Sequence, residues 1–127
     1  MTSIRVHGAG QVIAAFGVMP ALLAVTARQA VEVSANHIKA DSRRRGAGSG
    51  YRKHYANSIT YDLRASGPAS VWAEVGPDKA RRQGALGNII EFGTSRNAPI
   101  PHLGPALAAE ASGFYAGMVR AVRDATR

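Results

Sequence analysis

Residues that could do chemistry are few in this sequence and lie far apart. The four histidines are spread over the whole chain: His7, His37, His54 and His102. No histidine pair has the HExxH spacing of a zinc protease, and without cysteine the chain has neither a thiolate metal site nor a disulfide. Ser49 lies between glycines but lacks the preceding strand of a nucleophile elbow, and there is no Gly-Lys-Ser or Gly-Lys-Thr phosphate loop. The sequence therefore predicts no catalytic residue, no metal site and no cofactor, and we expect a protein that is not an enzyme.

Two polar residues have settings that allow more than one role. Glu91 lies between Ile90 and Phe92, where a carboxylate either faces a partner protein in a salt bridge or, less often, is a general base. The sequence offers no second catalytic group to accompany it. His102 follows Pro101 and is predicted to be a surface or contact residue.

The chain is strongly basic. Its 127 residues include sixteen Lys and Arg against eight Asp and Glu, which gives a formal net charge of +8. The cations concentrate in three clusters that are candidates for contact with a protein partner or DNA: Arg43, Arg44 and Arg45; Arg52, Lys53 and His54; and Lys79, Arg81 and Arg82. Guanidinium groups bind carboxylate and phosphate alike. The composition therefore does not decide whether the cations bind acidic proteins, bind nucleic acid or form a solvated surface.

Tyrosines accompany one of these clusters. Tyr51 and Tyr55 flank the second cluster, and aromatic rings beside cations can stack on the bases of single strands. No RNA-binding aromatic motif or helix-turn-helix spacing goes with them. A solvated loop is therefore the better interpretation of each cluster taken singly.

No segment is predicted to cross a membrane. The longest apolar stretch, residues 12–27, contains Gly17 and Pro20 and is shorter than the roughly 20 residues that a span needs. We therefore expect no membrane partner.

The elements that must position these residues form one domain, residues 1–127. Residues 18–40 have apolar side chains at spacings of three and four, which predicts a helix with this stripe: Met19, Leu22, Leu23, Thr26, Ala30, Val33, His37 and Ile38. Residues 104–125 repeat the pattern in a second helix, with this face: Leu103, Leu107, Ala111, Phe114, Met118 and Val122.

The remaining segments are shorter. Residues 57–76 alternate apolar and polar side chains around a turn, which predicts a β-hairpin. Residues 41–56 are predicted to be a flexible basic loop, residues 1–17 an arm or short strand, and residues 84–93 a short element. The predicted fold is α+β: a long N-terminal helix, a small antiparallel sheet with a protruding hairpin, and a C-terminal helix packed on one face.

One segment gives a more specific indication of the protein family than the composition does. Residues 88–94 and 98–107 resemble a signature of tail-completion and head–tail joining proteins of tailed bacteriophages, with these matching positions: Glu91, Phe92, Gly93, Thr94, Pro101, Leu103, Pro105 and Ala106. His102 stands where that family usually has Phe. We expect Gly93 to allow a sharp turn, and Phe92 to bury its ring while Glu91 and Thr94 stay available for hydrogen bonds.

The resemblance implies a structural virion protein of the phage neck, assembled in the host cytoplasm. Its partners would be copies of itself in a ring of six, other neck, connector and tail-tube proteins, and packaged DNA that it contacts non-specifically in the lumen. We expect residues 43–55 to order only on assembly, against acidic neighbours. The alternatives are a basic nucleic-acid-binding protein and a tail terminator of related fold.

Overall fold

The computed structural model describes residues 4–7, 20–66 and 70–126. Three strands lie within these ranges, β1 (Ile4–His7), β2 (Ile59–Ala65) and β3 (Val71–Pro77). The same described residues contain three α-helices, α1 (Pro20–Gly46), α2 (Gly87–Phe92) and α3 (Leu103–Ala125). Short 3-10 helices cover Gly50–Arg52, Ala56–Ser58 and Gly84–Leu86. The α+β fold, with a long first helix, an antiparallel sheet and a C-terminal helix, is confirmed.

The sheet has the antiparallel order β1-β3-β2, so β3 is its central strand. Alternation in β3 buries one face, which comprises Val71, Ala73, Val75 and Pro77. Side chains alternate across a strand, so this face packs on α1 while the other face is partly exposed. The β2–β3 hairpin is confirmed, although its tip, residues 67–69, lies outside the described residues. Residues 1–3 and 8–17 of the predicted arm, and residues 18–19 of the predicted first helix with Met19, also lie outside them.

Helix α3 packs along α1, and the two helices form most of the core beside the sheet. The predicted face of α3 is largely confirmed, since Leu103 and Met118 are buried while Leu107 and Phe114 pack against the core. Ala111 is exposed.

The predicted stripe of α1 is partly wrong. Its buried apolar positions are Leu23, Ala27, Val31, Ala35 and Ile38, whereas Leu22 and Val33 are about half exposed and His37 is exposed. Two of these buried positions are alanines. The buried stripe therefore contains small residues, which apolar spacing alone does not weigh.

Helix α1 continues to Gly46, so the prediction of a flexible loop beginning at residue 41 is wrong. Asp41 forms ion pairs with Arg44 and with Arg45, three and four residues later on the same helix face. Cations in the last turn also interact favourably with the negative end of the helix dipole. These interactions offset the like-charge repulsion that led to the prediction of a loop.

Candidate functional site

The motif residue Glu91 closes the N-terminal end of α3. Its carboxylate is only 7% exposed. Oε1 accepts hydrogen bonds from the backbone N–H groups of His102 (3.1 Å) and Leu103 (2.9 Å), and Oε2 accepts one from Gly104 (3.4 Å). The first N–H groups of a helix have no partner within it, and a negative charge there is favourable. Glu91 is thus a helix cap supplied from α2, and the prediction that it faces a partner or acts as a base is wrong.

His102 is completely buried beside this cap, so the prediction of a surface histidine is wrong. Its Nδ1 lies 2.8 Å from the carbonyl oxygen of Ile100 and 3.1 Å from Oε1 of Glu91. Both neighbours are acceptors, so we assign a proton to Nδ1. Nε2 lies 2.7 Å from the hydroxyl of Tyr55, which donates to it when the ring is neutral. The two rings meet edge to face with centroids 5.2 Å apart.

Tyr55, His102 and Glu91 therefore place a hydroxyl, an imidazole and a carboxylate in the order used by nucleophilic catalysts. Tyr55 and His102 have no exposed surface, so no substrate reaches the hydroxyl. Burial first, and the charge of Glu91 second, raise the pKa of the Tyr55 hydroxyl. A phenol that resists ionisation in a sealed site is a poor nucleophile, and we interpret the three residues as a structural network.

This network fixes the motif corner, which we define as residues 88–106. Gly93, in the left-handed region at φ 75°, ends α2, and a Cβ there would lie 2.7 Å from the backbone nitrogen of Pro99. The N–H of Thr94 donates to the carbonyl of Asn97 (2.8 Å), and the N–H of Ile100 donates to that of Ile90 (2.7 Å). The expected sharp turn at Gly93 is confirmed, and its backbone is held at both ends.

Phe92 is 69% exposed, so the expectation that it buries its ring is wrong. The inward positions of the short helix α2 are taken by Ile90 and Glu91, which leaves Ile89 and Phe92 on the outer side. Ile89 is 39% exposed. Of the other motif positions, Leu103 and Ala106 are in the core, Pro105 is partly buried, and Thr94 and Pro101 are exposed.

The three basic clusters, separate in sequence, meet on one surface. Nε of Arg43 donates to the carbonyl of Ile59 (2.9 Å). The carbonyl of Asn57 lies 3.5 Å from Nη2 of Arg43 and 3.3 Å from Nη1 of Arg81, so it is close to both arginines. The N–H of His54 donates to Oε1 of Gln83, the residue after Arg82, so the second cluster adjoins the third, and the charges of Arg82 and Lys53 both act on His54. We call the surface of Arg43, Arg52, Lys53, Arg81 and Arg82 the basic face.

Burial first, and these two charges second, lower the pKa of His54 below its usual 6.5. Gln83 follows the third cluster and has a positive φ of 62°. Its side-chain Oε1 accepts a hydrogen bond from the N–H of His54 at 2.6 Å, which holds the second and third clusters together. A Cβ on Gly84 would overlap the carbonyl of Asp78. Each basic cluster is visible in the sequence, but nothing in the sequence indicates that Asn57 and Gln83 join the clusters.

Segment 47–56, which carries Arg52 and Lys53 of the basic face, is held by contacts of its own and by the buried network. Nη1 of Arg52 donates to the carbonyl of Ala47 (3.1 Å), and the side chain of Tyr55 is buried in the network described above. Arg44 and Arg45 of the first cluster are paired with Asp41 instead.

No family model, curated protein or solved structure matches this chain. Among the described residues, no group of three or more His, Asp or Glu side chains is placed to hold a metal ion. No helix in the described ranges is long and apolar enough to cross a membrane.

Proposed function

We propose that this chain is a structural subunit of the neck of a tailed bacteriophage, where copies of it form a ring that joins tail to head. The observation that carries the proposal is the exposed Phe92, held on a corner that is otherwise fixed by buried hydrogen bonds. Exposed aromatic residues on a rigid support are typical of the anchors of protein interfaces. The corner has the sequence that resembles the neck-protein signature.

The rigidity of the corner supports an assembly role. Glu91 ties α2 to the start of α3, and Ile100 ties the following segment back to Ile90. Ordering a side chain on binding costs free energy, and a preformed anchor avoids much of that cost. Phe92 and Ile89 thus offer a preorganised apolar contact.

A second apolar surface lies on α3. Tyr115 and Val119, one turn apart on this helix, are 72% and 41% exposed. This helix surface differs from the motif corner. A contact between two unlike surfaces of identical subunits is heterologous, and it produces a ring when the rotation closes. We propose that the corner of one subunit packs on the helix surface of the next, six times around a ring.

The remaining surfaces would face other neck, connector and tail-tube proteins in the virion. The sealed position of the Tyr55 hydroxyl supports a structural role over a catalytic one. A tail terminator would use the same kind of ring, so the position of the ring in the particle distinguishes the two roles.

The test is electron microscopy of the isolated protein and of virions that carry or lack it. We expect a ring at the neck, and unjoined heads and tails when the protein is missing. Phe92→Ser should abolish joining and leave the fold intact. Tyr51→Ser, a loss of another exposed aromatic, is the matched control and should join normally. Normal joining in virions that lack the protein would refute the proposal.

A further inference from the structure

The basic face differs from the apolar surfaces in how its side chains are held. Arg43 and Arg52 donate to backbone carbonyls, which are neutral, and Arg81 does so while also lying 3.6 Å from Asp78. Carbonyl partners restrict a guanidinium without cancelling its charge. These arginines are therefore positioned but still positive.

Few carboxylates oppose the cations here. Within the described part of the chain, Lys53 and Arg82 have no acidic partner, and Asp78 is the acid paired with the basic face. Asp41, the other acid nearby, is occupied by Arg44 and Arg45. Five cations against one carboxylate leave a net charge of about +4 on this surface (five minus one), and such a concentration attracts polyanions.

The composition of the face favours nucleic acid over an acidic protein. Protein interfaces have an apolar centre, whereas protein–DNA interfaces are more polar and more positively charged. The most exposed apolar side chains, Phe92 and Tyr115, lie on α2 and α3. The basic face instead consists of five cations, and the 42% exposed Tyr51 is only their neighbour in sequence.

We propose that the basic face binds the phosphate backbone of double-stranded DNA without reading its sequence. Its cations come from the C-terminal end of α1 and from short loops, which suits contacts with phosphates and not with base edges. The inference deepens the proposed function and rests on it for its setting, since DNA would pass through the ring. Binding itself is a property of the single subunit.

Fluorescence anisotropy with labelled duplexes of two unrelated sequences tests this directly. Both duplexes should bind equally. If the five cations neutralise five phosphates, affinity should fall by about 10²–10³-fold between 50 and 200 mM salt, with a log–log slope of about −4.5. The double variant Lys53→Ser/Arg82→Ser should reduce the slope by about 2, because two phosphate contacts are lost.

The matched control is Arg28→Ser/Arg123→Ser, which removes two exposed charges far from the basic face. Arg28 lies fifteen residues before Arg43 on α1, roughly 22 Å along the helix, and Arg123 lies near Ala125, which packs on Leu23 at the start of α1. This control should bind DNA with nearly the wild-type slope. Thermal unfolding of both variants verifies that the fold is retained.

Three results would overturn the inference. The first is no binding at 50 mM salt, and the second is an equal loss in the control variant. The third is tighter binding of polyglutamate of matched charge, which would assign the face to an acidic protein partner. DNA binding without a ring in virions would refute the proposed function alone, whereas a ring whose subunit fails to bind DNA would refute this inference alone.

Discussion

Polar side chains are important both at the motif corner and on the basic face, but burial makes the loss of these side chains differ in its effect. At the corner, Glu91 and His102 are buried and every hydrogen bond replaces one that water would otherwise make. On the basic face, Arg82 and Lys53 are exposed and interact with solvent. Removing a buried partner leaves an unsatisfied group, whereas removing an exposed charge does not. Substitutions of the buried polar residues at the corner should therefore alter stability, and substitutions on the basic face should alter binding.

Glu91→Ala is expected to have the largest effect on stability. It leaves the N–H groups of His102 and Leu103 without their acceptor and removes a charge from the N-terminal end of α3. We expect a loss of about 3 kcal/mol in the free energy of unfolding, from a lost cap and from buried unsatisfied groups. Urea denaturation measures it as a lower midpoint with an unchanged slope.

Asp62→Ala is the control, since its side chain is 68% exposed and its ion pair with Arg64 is long, at 3.8 Å. It should change stability by less than about 0.5 kcal/mol. Equal losses in the two variants would mean that burial does not separate the corner from the surface.

Tyr55→Phe should have an intermediate effect. It removes the hydroxyl that contacts Nε2 of His102 and leaves that nitrogen buried without a partner, at a cost of about 1–2 kcal/mol. In a double-mutant cycle with His102→Phe, the two losses should not add, because the second change removes the orphaned nitrogen. Additive losses would show that the hydroxyl and the imidazole do not interact.

The same hydroxyl predicts a pH dependence. The folded pKa of Tyr55 is raised above its unfolded value of 10.0, so the folded state holds this proton more tightly. Its contribution to stability is fully present below pH 10 and is lost as pH rises through the folded pKa. Alkaline unfolding of Tyr55→Phe should therefore lack part of the pH dependence of the wild type.

The contrast also explains what the sequence could predict. The hairpin and α3 were predicted because alternation and a 3.6-residue period are local properties of Val71–Pro77 and Leu103–Ala125. Phe92 was predicted to be buried and Glu91 to face a partner, whereas Phe92 is exposed and Glu91 is buried. Which of two neighbouring side chains faces inward depends on where α3 begins in space, twelve residues after Glu91, and not on the local pattern.

The basic face was foreseen only in parts. Three clusters were visible in the sequence, but their meeting depends on Asn57, whose carbonyl lies close to both Arg43 and Arg81. Every residue has a backbone carbonyl, so the sequence does not indicate which carbonyl will accept these hydrogen bonds. The helical end of α1 was missed because Asp41 was counted in a basic loop and not as a partner of Arg44 and Arg45.

Asp41→Asn should have the smallest effect and tests the surface side of the comparison. Burial alone would raise the pKa of this carboxyl, but hydrogen bonds and charge from Arg45 and Arg44 outweigh it and hold the pKa below 3.8. The stabilisation is present above pH 3.8 and is lost as pH falls through the lowered value. At neutral pH we expect a loss of about 0.5 kcal/mol or less, because these are pairs within one helix at the surface and Arg44 is 73% exposed.

The same variant should bind DNA slightly more tightly, because Arg44 and Arg45 lose their carboxylate beside the basic face. Urea denaturation and duplex titration on one sample separate the two effects. A stability loss as large as that of Glu91→Ala would mean that the end of α1 depends on Asp41 as the corner depends on Glu91. In that case exposure would not distinguish the two regions, and the basic face would have to be treated as part of the folding core.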